Sequence, residues 1–111
     1  MVLDDLAAVI DRLVDTSPAE LATPDFVLAI EAQLARLDAV ATRSAAAFEA
    51  SGAWSADGAR SAGHWLGFTT HVPVAKAQRR VRLGAAVEDL PIVEAAWLAG
   101  EISQCHAAVI A

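Results

Sequence analysis

Few residue types in this chain can do covalent or metal chemistry: three histidines (His64, His71, His106) and one cysteine, Cys105. Cys105 and His106 are adjacent, which places them about 100° apart on a helix, so they cannot converge on one ion. No Cys-x-x-Cys or His-x-x-x-His spacing supports a zinc site, and neither a metal nor a cofactor is expected. Cys105 reads instead as a small buried apolar residue. No serine sits in a nucleophile elbow, no loop has the form of an oxyanion hole, and no glycine-rich phosphate loop is present. No catalytic residue is therefore assigned.

The remaining candidates are cations. From Gly58 to Val87 there are five basic side chains (Arg60, Lys76, Arg79, Arg80 and Arg82) and no acidic one. The formal net charge is −6, so the other residues, with three arginines and all 14 carboxylates, carry −11. A pI near 4.8 is unlike a nucleic-acid binder by bulk charge, yet a local cationic segment can still meet phosphate. Arg60, Lys76, Arg79, Arg80 and Arg82 are the candidate nucleic-acid-binding residues. The competing reading is a solvated or salt-bridged helix face. On a helical wheel centred on Val81, the residues Val74, Ala77 and Ala85 share the buried side. Lys76, Arg79 and Arg80 lie opposite, interrupted by Leu83 and Val87, so arginine stems could also cover alanine-rich neighbours.

The elements that must position these cations are helices. Apolar residues make up 56% of the chain and aromatics only 5%, a balance that favours helix over strand. The expected fold is all-α, a compact array of about six helices in a single domain over residues 1–111. Leu3, Leu6, Ile10 and Leu13 step along one helical face, ended by Thr16-Ser17-Pro18. Thr23-Pro24 reads as an N-cap with proline at the first helical position, opening a long spine helix over about 24–50. Along it Val27, Ile30, Leu34, Leu37, Ala41, Ser44 and Phe48 form a seam for a partner helix, expected mainly within the chain, though a homo-oligomer through helix 24–50 is an alternative. Gly52 supplies the C-cap, and Trp54 to Gly58 is expected to be a loop. A short helix from Ala59 or Arg60 to Phe68 should present Trp65 and Leu66 inward. A turn over Thr69–Val72 precedes a helix from Pro73 to about Glu88. Leu90-Pro91 opens another helix, ended by Gly100, and Ser103 caps the last. That last helix stops at Ala111 within an apolar run, so the chain is expected to continue in a longer protein.

Asp57 and Arg60 flank one turn and could pair locally. The three tryptophans, Trp54, Trp65 and Trp97, are expected to be core or loop anchors whose ring N–H groups find a carbonyl. The first fourteen residues carry Asp4, Asp5 and Asp11 and lack the form of a signal peptide, and no stretch approaches the roughly 20 apolar residues of a membrane span. A cytoplasmic location, with no membrane partner, is expected.

An ordered set of short motifs runs through the chain: Phe48-Glu49-Ala50-Ser51-Gly52-Ala53-Trp54, Asp57-Gly58-Ala59-Arg60-Ser61-Ala62, His64-Trp65-Leu66, Leu90-Pro91, and Ala99-Gly100-Glu101-Ile102-Ser103 followed by His106-Ala107. From about Ala29 to Ala111 the chain resembles the domain of unknown function at the N-terminus of actinobacterial HNH-endonuclease-like proteins, the thirteen-E-twelve repeat family. The resemblance implies an alanine-rich helical domain followed downstream by an HNH nuclease module. That module needs paired histidines and an asparagine, and the chain contains no asparagine. The cutting chemistry is therefore expected outside these residues. Members commonly carry Thr-Gly before the basic helix, where this chain has Thr69-Thr70-His71. Without glycine a tight positive-φ turn is harder to form, which weighs against strict helix-turn-helix geometry.

The functional expectation is a non-catalytic, DNA-associating accessory domain of a bacterial HNH-endonuclease-type protein. Arg60 to Arg82 would meet the phosphate backbone. The alternative is a protein-interaction or dimerisation module without nucleic-acid contact.

Overall fold

The computed structural model describes residues 1–111 and is all-helical. It contains α1 (Val2–Val14), α2 (Pro24–Ser51), a 3-10 helix (Ala53–Asp57), α3 (Ala62–Thr70), α4 (Val74–Glu88), α5 (Pro91–Leu98) and α6 (Gln104–Ile110). The residues divide into two compact units, Met1–Glu31 and Ala32–Ala111. In the first, Asp4 and Asp5 lie in the opening turn of α1, where negative charge suits the helix dipole. None of the α1 residues is buried. Thr16 Oγ1 donates to the Arg12 carbonyl at 2.8 Å as the helix ends. Thr23 caps α2, its Oγ1 accepting from Phe26 N–H at 3.2 Å.

The second unit is built on small residues. Its two clusters of buried side chains are Ala39, Val87, Trp97 and Ala107, and Ala45, Ala62 and Val81. Helix α4 supplies Val87 to one and Val81 to the other, so it is packed on two sides. Trp97 is 1% exposed and is the largest side chain sealed in this way. Removing a buried ring of that size costs about 3–5 kcal/mol. Gly84 lets α4 approach α2 so closely that a Cβ there would stand 2.6 Å from the Thr42 carbonyl oxygen and 2.7 Å from Ala46 Cβ. Arg36 Nε donates to the Leu98 carbonyl at 3.1 Å, tying the end of α5 to α2.

The face of α2 that is buried differs from the expected seam. Ala39, Thr42, Ala45 and Ala46 are covered, whereas Leu34 is 50% and Leu37 42% exposed, and Val27 is exposed too. The two faces are roughly 120° apart at 100° per residue. Close approach of α4 requires alanine and threonine at the contact, and this outweighs the pull of the larger side chains.

Four further local features depart from expectation. The segment after Gly52 is a 3-10 helix rather than a loop, bounded by Gly52 at φ 70° and Gly58 at φ 78°. Helix α3 begins at Ala62, later than expected, because Ser61 caps it. The turn before α4 does adopt positive φ without glycine, with His71 at φ 60°. Cys105 is exposed rather than buried. No helix is long and apolar enough to cross a membrane.

Candidate functional site

The α3–α4 hairpin carries the cations, and it is anchored by the same motif residues that stand out in the sequence. Glu49, near the end of α2, accepts from the Ala62 backbone N–H at 2.6 Å. A carboxylate there satisfies a free donor of the first turn and complements the helix dipole. Trp54 Nε1 donates to the Glu49 carbonyl at 3.1 Å, and Trp65 Nε1 donates to Asp57 Oδ2 at 2.8 Å. Asp57 thus serves the indole of Trp65 in place of the expected pairing with Arg60. Phe48 and Trp65 meet edge to face with ring centroids 4.9 Å apart. Ser61 Oγ accepts from His64 N–H at 3.2 Å and lies 2.7 Å from His64 Nδ1. A hydroxyl can do both by accepting from the backbone N–H and donating to the ring nitrogen. The arrangement recurs at α6, where Ser103 Oγ accepts from His106 N–H at 3.4 Å and lies 3.1 Å from its Nδ1. His64 and His106 are therefore each paired with the serine that caps their helix.

Within the hairpin, Gly63 and Gly67 face α4. A Cβ on Gly67 would stand 2.6 Å from Val74 Cγ2, and a Cβ on Gly63 would be 3.1 Å from Gln78 Cα. The pair fixes the two helices closely and holds the cations on a rigid support. Arg60, Lys76, Arg79 and Arg82 are exposed. Arg80 differs: it is half-buried and its Nη2 lies 3.0 Å from Asp38 Oδ1. Of the five candidate cations, four are free of an acidic partner and one is committed to α2. Arg79 and Arg82 also border a shallow groove with Leu83, Ala86, Cys105 and Ala108.

The distribution of charge matters here. Seven of the 14 carboxylates lie in Met1–Glu31 beside a single arginine, Arg12. Ala32–Ala111 has seven acidic and seven basic residues and is formally neutral. Three of its acids (Asp38, Glu49 and Asp57) hold internal hydrogen bonds, and the acids of α4 and its cap, Glu88 and Asp89, lie at the C-terminal end of the helix, beyond its four cations. The signal sequence reasoning missed is the Asp38–Arg80 pair, which spans 42 residues. Its partners carry no local pattern that links them.

No curated protein and no solved structure matches the chain. A family described as Domain of unknown function (DUF222) matches residues 25–111, more than three quarters of its length. The anchoring residues from Phe48 to Trp65, the α3–α4 hairpin and both serine–histidine pairs all fall inside that match, and the chain belongs to the DUF222 family.

Proposed function

We propose that this chain is a non-catalytic, DNA-associating accessory domain of a bacterial HNH-endonuclease-type protein, with the cutting module elsewhere in the parent. One observation carries the reading. Lys76, Arg79 and Arg82 are exposed on α4, within a thirty-residue stretch from Gly58 to Val87 that has no carboxylate to neutralise them. Arg60 adds a further exposed cation at the base of the hairpin. Cations on a stiff helix engage phosphate through released counterions and need no enclosed pocket. The HNH association comes from the sequence resemblance, as does the bacterial source.

The test is fluorescence anisotropy with labelled DNA, duplex and single-stranded, at two salt concentrations. Each phosphate contact contributes about 0.9 to the salt slope on duplex and about 0.7 on a single strand. The triple variant Lys76→Ala/Arg79→Ala/Arg82→Ala should flatten the slope by roughly 2–3 while its circular dichroism stays unchanged. Absence of binding by the intact protein to either form at low salt would refute the reading.

A second reading, self-association through α2, is favoured by the exposure of Val27, Leu34 and Leu37 along one stripe of that helix. It predicts a mass that rises with protein concentration, is largely indifferent to moderate salt, and is abolished by Leu34→Gln/Leu37→Gln. A constant monomer mass across the concentration range would exclude it.

A further inference from the structure

We infer that the α3–α4 hairpin takes unpaired nucleotides, with a base stacked on Phe68 and neighbouring phosphates held by Arg79 and Arg82; this rests on the nucleic-acid reading above. Phe68 is 70% exposed, and of the six aromatic residues it alone is classed with the exposed side chains. A lone exposed apolar residue needs no explanation by itself. The surroundings of this one give it meaning.

Helix geometry fixes which flank it occupies. Gly63 and Gly67 face α4, while Ala62 and Leu66, one residue earlier in each case, belong to the core around Ala45 and Val81. His64 and Phe68, one residue later, therefore point about 100° to the other side, away from that core. Their rings are 6.4 Å apart. His64 Nδ1 lies 3.4 Å from Gln78 Nε2, which sets this flank beside Gln78 of α4. Arg82 lies four residues on from Gln78, and Arg79 three before Arg82, so Arg82 continues this surface and Arg79 adjoins it. Val74, the partner of Gly67, marks the level of Phe68 on α4. At 1.5 Å per residue, Arg79 and Arg82 stand about 7.5 Å and 12 Å further along the axis. Both arginines are thus close enough to meet phosphates that flank a base on Phe68 within a few nucleotides.

An exposed ring on a rigid helix with cations in line is the combination that binds single strands. The ring offers a face to any base, and a paired base in a duplex has no face to give. His64, half-buried with its ring 6.4 Å from that of Phe68, can hydrogen-bond the edge of a base or a sugar.

The experiment compares a labelled oligothymidylate with a duplex of equal length, at one salt concentration, for the intact chain, Phe68→Ala, Phe68→Trp and Arg79→Ala/Arg82→Ala. The single strand should bind more tightly than the duplex. Phe68→Ala should weaken the single strand about ten-fold or more, leaving the duplex within two-fold, and Phe68→Trp should retain binding. The double arginine variant should weaken both. Unchanged single-strand affinity in Phe68→Ala, or an equal loss on both forms, would overturn stacking while leaving the phosphate contacts intact. No binding of either form by the intact chain defeats the underlying reading. A concentration-dependent mass that Phe68→Ala abolishes, without nucleic-acid binding, would assign the ring to a protein contact and overturn the proposal.

Discussion

Glu49 and Ala62 are 13 residues apart, and the carboxylate of the first accepts the backbone N–H of the second at 2.6 Å. One side chain at the end of α2 thereby joins the Ser61 cap in fixing where α3 begins. A charge-assisted bond of this kind contributes about 1.5–3 kcal/mol. Glu49→Ala should lower stability by that order, whereas Glu49→Gln, which keeps an acceptor, should lose less. Urea unfolding followed by circular dichroism measures both, and equal losses would show that the charge is irrelevant.

Gly84 is the point at which α4 crosses α2. Alanine is the better helix former by about 1 kcal/mol, so propensity alone makes Gly84→Ala stabilising. The new Cβ, however, would stand 2.6 Å from the Thr42 carbonyl oxygen, an atom of the backbone that cannot rotate aside. Overpacking of about 1–3 kcal/mol should win. The variant should melt several degrees lower in a thermal scan. A higher melting temperature would mean that the helices separate at little cost.

His71 adopts the left-handed conformation at φ 60°, which disfavours any residue with a Cβ by about 1–2 kcal/mol. Histidine tolerates it better than most. Replacement by glycine removes the strain but adds freedom to the unfolded chain, so the net gain of His71→Gly should be about 0.5–1 kcal/mol. It would appear as a higher urea midpoint at unchanged slope. Because the residue lies outside the cationic face, DNA affinity should stay within two-fold.

Arg79 and Arg80 are neighbours in sequence with different environments. Arg80 is held by Asp38 at 3.0 Å, with side chains 30% and 40% exposed, so its pairing is worth at most about 1 kcal/mol. Arg80→Ala should cost a little stability and change DNA affinity less than Arg79→Ala does. Anisotropy titrations of the two single variants at the same salt decide it. An equal or larger effect of Arg80 would place the contact surface on the α2 side.

Much of the architecture was legible because turn chemistry is local. Thr23-Pro24, Gly52 and Ser103 each mark a boundary by a bond or dihedral within four residues, and each boundary falls where those residues place it. The 3-10 helix over Ala53–Asp57 was not legible, since five residues are too few for a period and its geometry depends on Trp54 reaching back to Glu49. The buried face of α2 was misread for a different reason. Hydrophobic periodicity ranks Leu34 and Leu37 above Ala39 and Thr42, whereas the contact with Gly84 selects for small size. The cationic residues were legible as a group, but their division into free and committed members depends on tertiary neighbours.

The anchoring of α3 to α2 has a consequence for how the chain acquires its structure. Glu49 with Ala62, Trp54 with Glu49, and Trp65 with Asp57 close loops of only 13, 5 and 8 residues. Short loops close at little entropic cost and within about a microsecond, so these contacts can assemble before distant segments meet. Trp97 must find Ala39 across a far longer stretch and is placed to arrive later. On that ordering the motif-rich segment acts as the folding nucleus, and Glu49→Ala should slow refolding more than it speeds unfolding.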